Sequence, residues 1–453
     1  MTQPAQQRWR RILSLAWPLI ISNSFWNLQL FIDRAFLGQY STEALGAAMA
    51  VMGVFWVPMA LLQGTASYVT TFVAQYYGAE EYDHIGPTLR QSILVSIVGG
   101  LLFFGFIPLA EPFFRMIGHE LGVLQLEIEY FNALTTSALP TAIVAAISGY
   151  FIGLGRTERV MILNGVGLLL NAVLDYLLIF GNGGFPEMGA AGAGLATGLA
   201  GFGSVIVGFF LLRYDRDSAR YAVFGSWRPN FAVMKQFLRY GLPSGLQWAL
   251  EGIAFTVFLI YMGRLPNGAA SLAASSIAVT VMMLSVLPAM GIAQAVMTLV
   301  GQHIGEGNPD EAARDTWSGV RISLAYMACV ALSFVVIPDV YLLAFQNDKD
   351  PLLWQSVQHL APQLLACVAI FTLFDSVYLN VSFALKGAGD TVFVSAIAAI
   401  LPWPIMVLPS TLVSGPDAVV DAWKWIIPYS ATICVILIYR FRQGAWRTMS
   451  VRS

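Results

Sequence analysis

Four acidic residues lie deep inside long apolar stretches of this sequence, where a charged side chain is costly. They are Asp33, Asp175, Glu251 and Asp375. A charge at the centre of a bilayer costs about 2.5 kcal/mol or more, so such residues usually have a partner, water or a function. Desolvation disfavours the ionised form, so a buried acid can exchange a proton near neutral pH or ionise when a cation arrives. The structural alternative is a carboxyl that ties two helices together by hydrogen bonds.

Polar neighbours group two of these acids into one candidate site for coupling to a cation or proton. Asn171 lies one turn before Asp175, so the amide and the carboxyl share one face of a helix. We expect both to form a polar cluster with Asp33, and Thr197 is a further candidate member.

Glu251 and Asp375 form the second candidate coupling site, in the second half of the chain, and they are the candidate sodium ligands. Arg34 is the only base that we count inside a span. It either reaches the outer interface or pairs with an acid of another helix.

The candidate residues of a substrate cavity are polar, aromatic or methionine side chains: Gln29, Trp248, Met282, Met283 and Tyr378. Packing against lipid is the alternative for the methionines.

The composition indicates an integral membrane protein with many spanning helices. Of the 453 residues, 57% are hydrophobic and 11% are charged, whereas a soluble protein has about 25% charged residues. A net charge of −2 gives no indication of nucleic-acid binding. The sequence contains no Walker-type loop and no readable Ser-His-Asp or His-Glu-x-x-His arrangement. We therefore expect neither ATP hydrolysis nor another enzymatic activity, and no cofactor.

Twelve stretches are long and apolar enough to cross a membrane, since a span needs about 20 mostly apolar residues. The predicted spans are 12–37, 45–77, 88–110, 130–154, 160–181, 190–213, 236–262, 269–302, 318–345, 356–385, 391–414 and 422–441. With a cytoplasmic N-terminus and strict alternation, 19 of the 24 Lys and Arg residues fall in the cytoplasm and four outside. This bias predicts a multi-pass protein with both termini in the cytoplasm, and the compact loops fit the inner membrane of a bacterium.

The two halves of the sequence share similar motifs in the same order, which predicts a parallel repeat of six plus six helices in two pseudo-symmetric bundles. A long basic connector divides an N-terminal lobe, 1–213, from a C-terminal lobe, 236–453, and is itself a cytoplasmic linker at 214–235. Transporters with two such halves bind substrate near the midplane between them. The pairs of similar motifs are Trp17-Pro18 with Leu242-Pro243, Gln75–Gly78 with Gln302–Gly305, and Gly153–Thr157 with Gly387–Thr391.

Four motifs, in this order and spacing, resemble the multidrug and toxic compound extrusion (MATE) family over essentially the whole chain. They are Ile32–Gly38 in the first span, Gln75–Ala79 closing the second, Asn171–Gly181 in the fifth and Leu385–Thr391 after the tenth. The resemblance implies two six-helix bundles that extrude organic cations by proton or sodium antiport.

The resemblance also implies roles for the polar residues of the first half. Asp33 matches the family's first-helix acid, and Asn171 and Asp175 match the fifth-helix pair that joins it in the N-terminal lobe. Thr197 is a looser match, because the connector before it is longer than expected.

In the second half, the resemblance is to the NorM-type branch of the family. Glu251 and Asp375 are similar to the seventh- and tenth-helix acids that bind the coupling cation there. Two residues depart from the pattern. Arg34 replaces the usual Thr after the first-helix acid, and Phe371 stands where the branch often has a Tyr hydroxyl. Loss of that oxygen ligand favours protons over sodium.

We therefore predict a secondary active multidrug efflux antiporter that exchanges organic cations for protons or sodium. The predicted partners are small organic cations and membrane lipid, without nucleic acid, and we expect a monomer. The alternative is a lipid-linked glycan flippase of the same superfamily. Such proteins usually have a cationic cavity to hold a pyrophosphate, and here only Arg34 lies deep in the sequence of a span.

Overall fold

Helices make up the regular structure of the chain. The computed structural model describes residues 4–117, 121–265, 267–346, 351–415 and 417–452, and in these ranges it contains no β-strand. The helices before the central connector are α1 (Ala5–Tyr40), α2 (Thr42–Ser67), α3 (Val69–Gly78), α4 (Ile85–Phe103), α5 (Ile107–Ile117), α6 (Leu121–Thr135), α7 (Ala138–Gly153), α8 (Thr157–Phe180) and α9 (Gly189–Arg213). Those after it are α10 (Phe231–Arg264), α11 (Gly268–Gly305), α12 (Pro309–Val336), α13 (Pro338–Leu343), α14 (Pro351–Ala388), α15 (Thr391–Ile400), α16 (Leu408–Ser410), α17 (Ala418–Lys424) and α18 (Ile426–Gln443).

Each of the twelve predicted spans falls on one or more of these helices, and the prediction of an all-α membrane protein is confirmed. Within the described ranges, ten helical segments are long and apolar enough to cross a membrane, and the bent pair of α6 and α7 makes an eleventh. Helix α1 has 36 residues, which is also enough to cross. The extreme termini, which we predict to be cytoplasmic, lie outside the described residues.

The chain folds into two compact units whose boundaries fall inside helices. The C-unit comprises Met1–Ile20, Leu250–Val300 and Asn308–Met449. The N-unit comprises Ile21–Ala249, Gly301–Gly307 and Ser450–Ser453. Helices α1, α10 and α11 are each divided between the two units. The two lobes and the linker that we predict from the sequence repeat, with their bounds, remain a prediction.

The start of α12 is set by its local sequence and supports an ion-pair network in the C-unit. Asn308 accepts a hydrogen bond from the Glu311 N–H, and Pro309 takes the first helical position, where a missing N–H costs least. Glu311 and Asp315 are one turn apart on one helix face. Both contact the buried Arg8 guanidinium, Glu311 Oε2 at 2.8 Å and Asp315 Oδ1 at 3.0 Å.

Small residues at the start of α9 allow the close packing of helices in the N-unit. A Cβ on Gly194 would lie 2.7 Å from the backbone nitrogen of Leu134 in α6. A Cβ on Gly192 would lie 2.6 Å from the backbone oxygen of Leu178 in α8. The glycines thus let α9 approach both neighbours and hold Thr197 near α8.

Gly194→Ala is expected to lower the free energy of unfolding by about 1–3 kcal/mol, because the added methyl meets a backbone atom that cannot rotate away. The measurement is the unfolding transition of the detergent-solubilised protein. Gly53→Ala is the matched control, since a Cβ there has no neighbouring heavy atom within 4 Å among the described residues. Equal transitions for the two variants would contradict the packing argument.

The connector at 214–235 packs against the N-unit through polar contacts. Tyr150 donates a hydrogen bond to Asp215 Oδ2 at 3.1 Å, and Arg156 forms an ion pair with the same carboxyl. Arg90 donates to the backbone oxygen of Val223 at 3.2 Å. The side chain of Tyr221 is almost completely buried. The connector is therefore fixed to the ends of α4, α7 and α8.

Candidate functional site

Asp33, Asn171 and Asp175 lie together in the N-unit. Asp33 comes from α1, and the other two come from adjacent turns of α8, so the cluster depends on the packing of these two helices. Asn171 and Asp175 are completely buried and Asp33 is 7% exposed. One side-chain amide, that of Asn171, reaches both carboxyls, so Asp33 and Asp175 are close neighbours. Because two adjacent negative charges repel, such a pair holds a proton or a cation.

The amide of Asn171 bridges the two carboxyls. Carboxylate oxygens are acceptors, so the amide nitrogen rather than the oxygen faces them. In this orientation Asn171 Nδ2 donates to Asp33 Oδ1 at 2.9 Å and to Asp175 Oδ2 at 3.2 Å. The other amide atom lies 3.4 Å from Thr197 Oγ1 of α9. The second oxygen of Asp175, Oδ1, is buried and has no hydrogen-bond partner among the described residues.

A small cavity of the N-unit opens onto Asp33. Its volume is about 30 Å³, which is close to the share of one water molecule in the liquid. Trp26 and Trp56 form part of its wall, with ring centroids 5.6 Å apart. The residues that line it include Gln29, Tyr130, Ser137 and Thr197. In this conformation the cavity can hold a small ion or a water, whereas a drug-sized ligand needs about 300 Å³ or more.

Glu251 and Asp375 belong to a second acidic cluster, in the C-unit. Both are partly buried, Glu251 on α10 and Asp375 on α14. The Tyr378 hydroxyl donates a hydrogen bond to Glu251 Oε1 at 2.5 Å. Tyr378 is one turn after Asp375, so α14 presents an acid and a phenol on the same face.

The other predicted cavity residues lie in different surroundings. Gln29 lines the N-unit cavity. Trp248 is partly buried on α10 in the N-unit. Met282 packs in an apolar core of the C-unit, whereas Met283 is 53% exposed. Tyr378 contacts Glu251 and so belongs to the second acidic cluster. The structure therefore distributes these five residues over several environments.

Lys386 is a buried base that the sequence analysis missed. It is 2% exposed, near the end of α14, where it interacts electrostatically with Glu251. It lies one residue beyond the predicted span 356–385, so the count of Arg34 as the only base inside a span stays a prediction. The sequence analysis treated Lys386 as a loop residue because Gly387-Ala388-Gly389 follows it. Arg34 is exposed, next to Asp33 on α1.

Glu127 is a further completely buried acid. The predicted span began at residue 130 and left Glu127 outside, but α6 begins at Leu121. A signal was available in the sequence. Glu127 shares a helical 3–4–3 spacing with Leu124, Phe131 and Leu134, all three buried apolar residues.

The sequence matches the family model described as MatE twice. The matched residues are 18–177 and 243–409, which together cover more than half of the chain. The two matches begin in corresponding parts of the two halves, as an internal repeat predicts. The first match contains Asp33, Asn171 and Asp175, and the second contains Glu251 and Asp375.

Curated relatives cover nearly the whole chain. A Xanthomonas campestris protein named "Probable multidrug resistance protein NorM" is 29% identical over 439 residues, which are 96% of this chain and 93% of the relative. A Thermotoga maritima protein of the same name is 27% identical over 449 residues, 98% of this chain and 94% of the relative.

Solved structures share the fold. One is titled as an outward-facing conformation of a multidrug resistance MATE family transporter of the MOP superfamily. It has a TM-score of 0.87 and 21% identity, and the match covers 99% of this chain and 100% of that one. At this identity the likeness shows the fold alone.

Proposed function

Because this chain belongs to the MatE family, as a NorM-like membrane transporter rather than an enzyme, we propose that it is a secondary active multidrug efflux antiporter. It exports organic cations in exchange for protons or sodium. The observation that carries this proposal is the buried Asp33–Asn171–Asp175 cluster beside the small N-unit cavity.

The chemistry of the N-unit cluster supports reversible binding of a small cation. Asn171 donates a hydrogen bond to one oxygen of each carboxyl. Asp175 Oδ1 accepts no hydrogen bond from the described residues and is therefore available to a cation. A proton or sodium ion bound there neutralises a charge that burial makes costly. Coupling requires only that the ion and the substrate favour opposite conformations. We therefore assign the coupling ion to this cluster, with Thr197 as a further ligand.

The lining of the N-unit cavity supports a cationic rather than an anionic substrate. It contains Asp33 and aromatic rings, which attract organic cations by charge and by cation–π contact. No lysine or arginine is among its described lining residues, whereas a flippase of pyrophosphate-linked lipid would need positive charge there. The cavity is far smaller than a drug-sized ligand, so it accommodates the coupling ion rather than the whole substrate.

We further propose a bacterial inner-membrane location with both termini in the cytoplasm, and a monomeric state. The location and orientation are supported by the strong bias of Lys and Arg to one side of the predicted spans.

Reconstituted protein in liposomes tests the antiport proposal. We expect export of a fluorescent organic cation to be driven by a proton gradient without sodium, or by a sodium gradient at equal pH on both sides. Each gradient is imposed alone, and liposomes without protein and protein without a gradient are the controls.

Failure of both gradients to drive the dye, with folded protein present, would overturn the proposal. A parallel assay for movement of a fluorescent pyrophosphate lipid between leaflets tests the flippase alternative. Gradient-independent lipid movement without dye transport would establish that alternative instead.

A further inference from the structure

The hydrogen bond between Tyr378 and Glu251 joins α14 to α10 inside the C-unit. The phenol oxygen and Glu251 Oε1 are 2.5 Å apart, and Tyr378 is almost completely buried. A carboxylate oxygen only accepts hydrogen bonds, so the phenol is the donor when Glu251 is ionised. A hydrogen bond from a neutral hydroxyl to a charged acceptor is among the stronger hydrogen bonds in proteins.

Charged and titratable groups surround Glu251 from two other helices. Helix α14 contributes Asp375 and Lys386, and α18 contributes the Tyr429 phenol, which interacts electrostatically with both acids. Cys434 of α18 faces Asp375. The cluster therefore holds two carboxyls and one internal ammonium. One added proton balances its formal charge.

Resting on the antiport proposed above, we propose that Tyr378 is a positioning residue for Glu251 that makes the C-unit cluster a proton site rather than a sodium site. The hydroxyl donates to Oε1, one of the two oxygens of Glu251, so a sodium ion bound by both oxygens would have to displace this donor. A proton needs only one carboxyl oxygen. When it arrives, Glu251 becomes a neutral acid and the phenol keeps its own proton.

The same hydroxyl reverses its role when Glu251 is protonated. A phenol can donate or accept a hydrogen bond, so it can accept one from the protonated acid. Both protonation states thus keep a hydrogen-bond partner in this buried place. Phe371, on the same helix, lacks a hydroxyl and adds no oxygen ligand for sodium.

Tyr378→Phe is expected to move the pH of half-maximal proton-driven dye export upward by about one unit. The hydroxyl stabilises ionised Glu251, so its loss lets the site hold its proton to a higher pH. The control is Tyr439→Phe, which removes an exposed phenol hydroxyl from α18 of the same unit and should leave the midpoint unchanged. A merely structural defect would lower the rate without moving the midpoint.

Coincident midpoints for Tyr378→Phe and the wild type would overturn the inference. A second test compares sodium-driven export at equal pH in Glu251→Gln and Asp33→Asn. Sodium-driven export that requires Glu251 but not Asp33 would also overturn the inference, although it would leave the antiport proposal intact. Absence of dye export under either gradient is the separate outcome that rejects antiport itself.

Discussion

Asp33→Asn is expected to lower gradient-driven export of a cationic dye by about 5- to 150-fold, the range of a typical coupling free energy between two sites. Asparagine keeps the shape of the side chain and can hydrogen-bond Asn171, but it cannot exchange a proton or balance a cation. The Asp33–Asp175 pair then carries one acid instead of two. The measurement is the initial export rate in proteoliposomes, normalised to the amount of inserted protein.

Glu129→Gln is the matched control for Asp33→Asn. Glu129 is an exposed acid on α6 of the same unit, where it accepts a hydrogen bond from Gln125. Removing its charge should leave export about unchanged, because water already solvates that carboxylate. Gradient-dependent export by Asp33→Asn at the wild-type rate would remove Asp33 from the coupling site. Equal losses in both variants would point to net charge rather than to the buried pair.

Arg8→Met is expected to lower the free energy of unfolding by about 3–5 kcal/mol, the usual cost of breaking a buried ion pair by removing one partner. Side-chain exposure is only 9% for Arg8, 11% for Glu311 and 3% for Asp315. Methionine fills much of the volume but removes the hydrogen bond to Glu311 and the ion pair with Asp315. Arg314 still pairs with Glu311 after this substitution. The unfolding transition in detergent measures it.

Two further variants test whether burial causes the effect of Arg8→Met. Arg115→Met removes an exposed pair with Glu111, which should change stability by less than about 1 kcal/mol. Adding Asp315→Leu to Arg8→Met should restore part of the loss, because apolar groups can replace a buried ion pair at little cost. An unchanged transition for Arg8→Met would show that the network does not stabilise the C-unit.

The sequence was sufficient to predict the acids of the site, because they lie within long apolar stretches. Asp33, Asp175, Glu251 and Asp375 stood out because an acid within an apolar stretch is visible in the sequence itself. Their partners were less visible. Asn171 was found by its spacing from Asp175 on one helix, whereas Lys386 was missed because its glycine-rich surroundings look like a loop.

The sequence alone determined the membrane class, the positions of the twelve helices and the separation of the four acids into two groups. Each of these three properties depends on the hydropathy or charge of about 20 consecutive residues, which can be read directly from the local sequence. Tertiary structure decided that Asn171 bridges Asp33 and Asp175, that Tyr378 donates to Glu251, and that residues 5–20 of α1 belong to the C-unit. These contacts join residues distant in sequence, and only the packing of helix against helix brings their side chains within hydrogen-bonding distance.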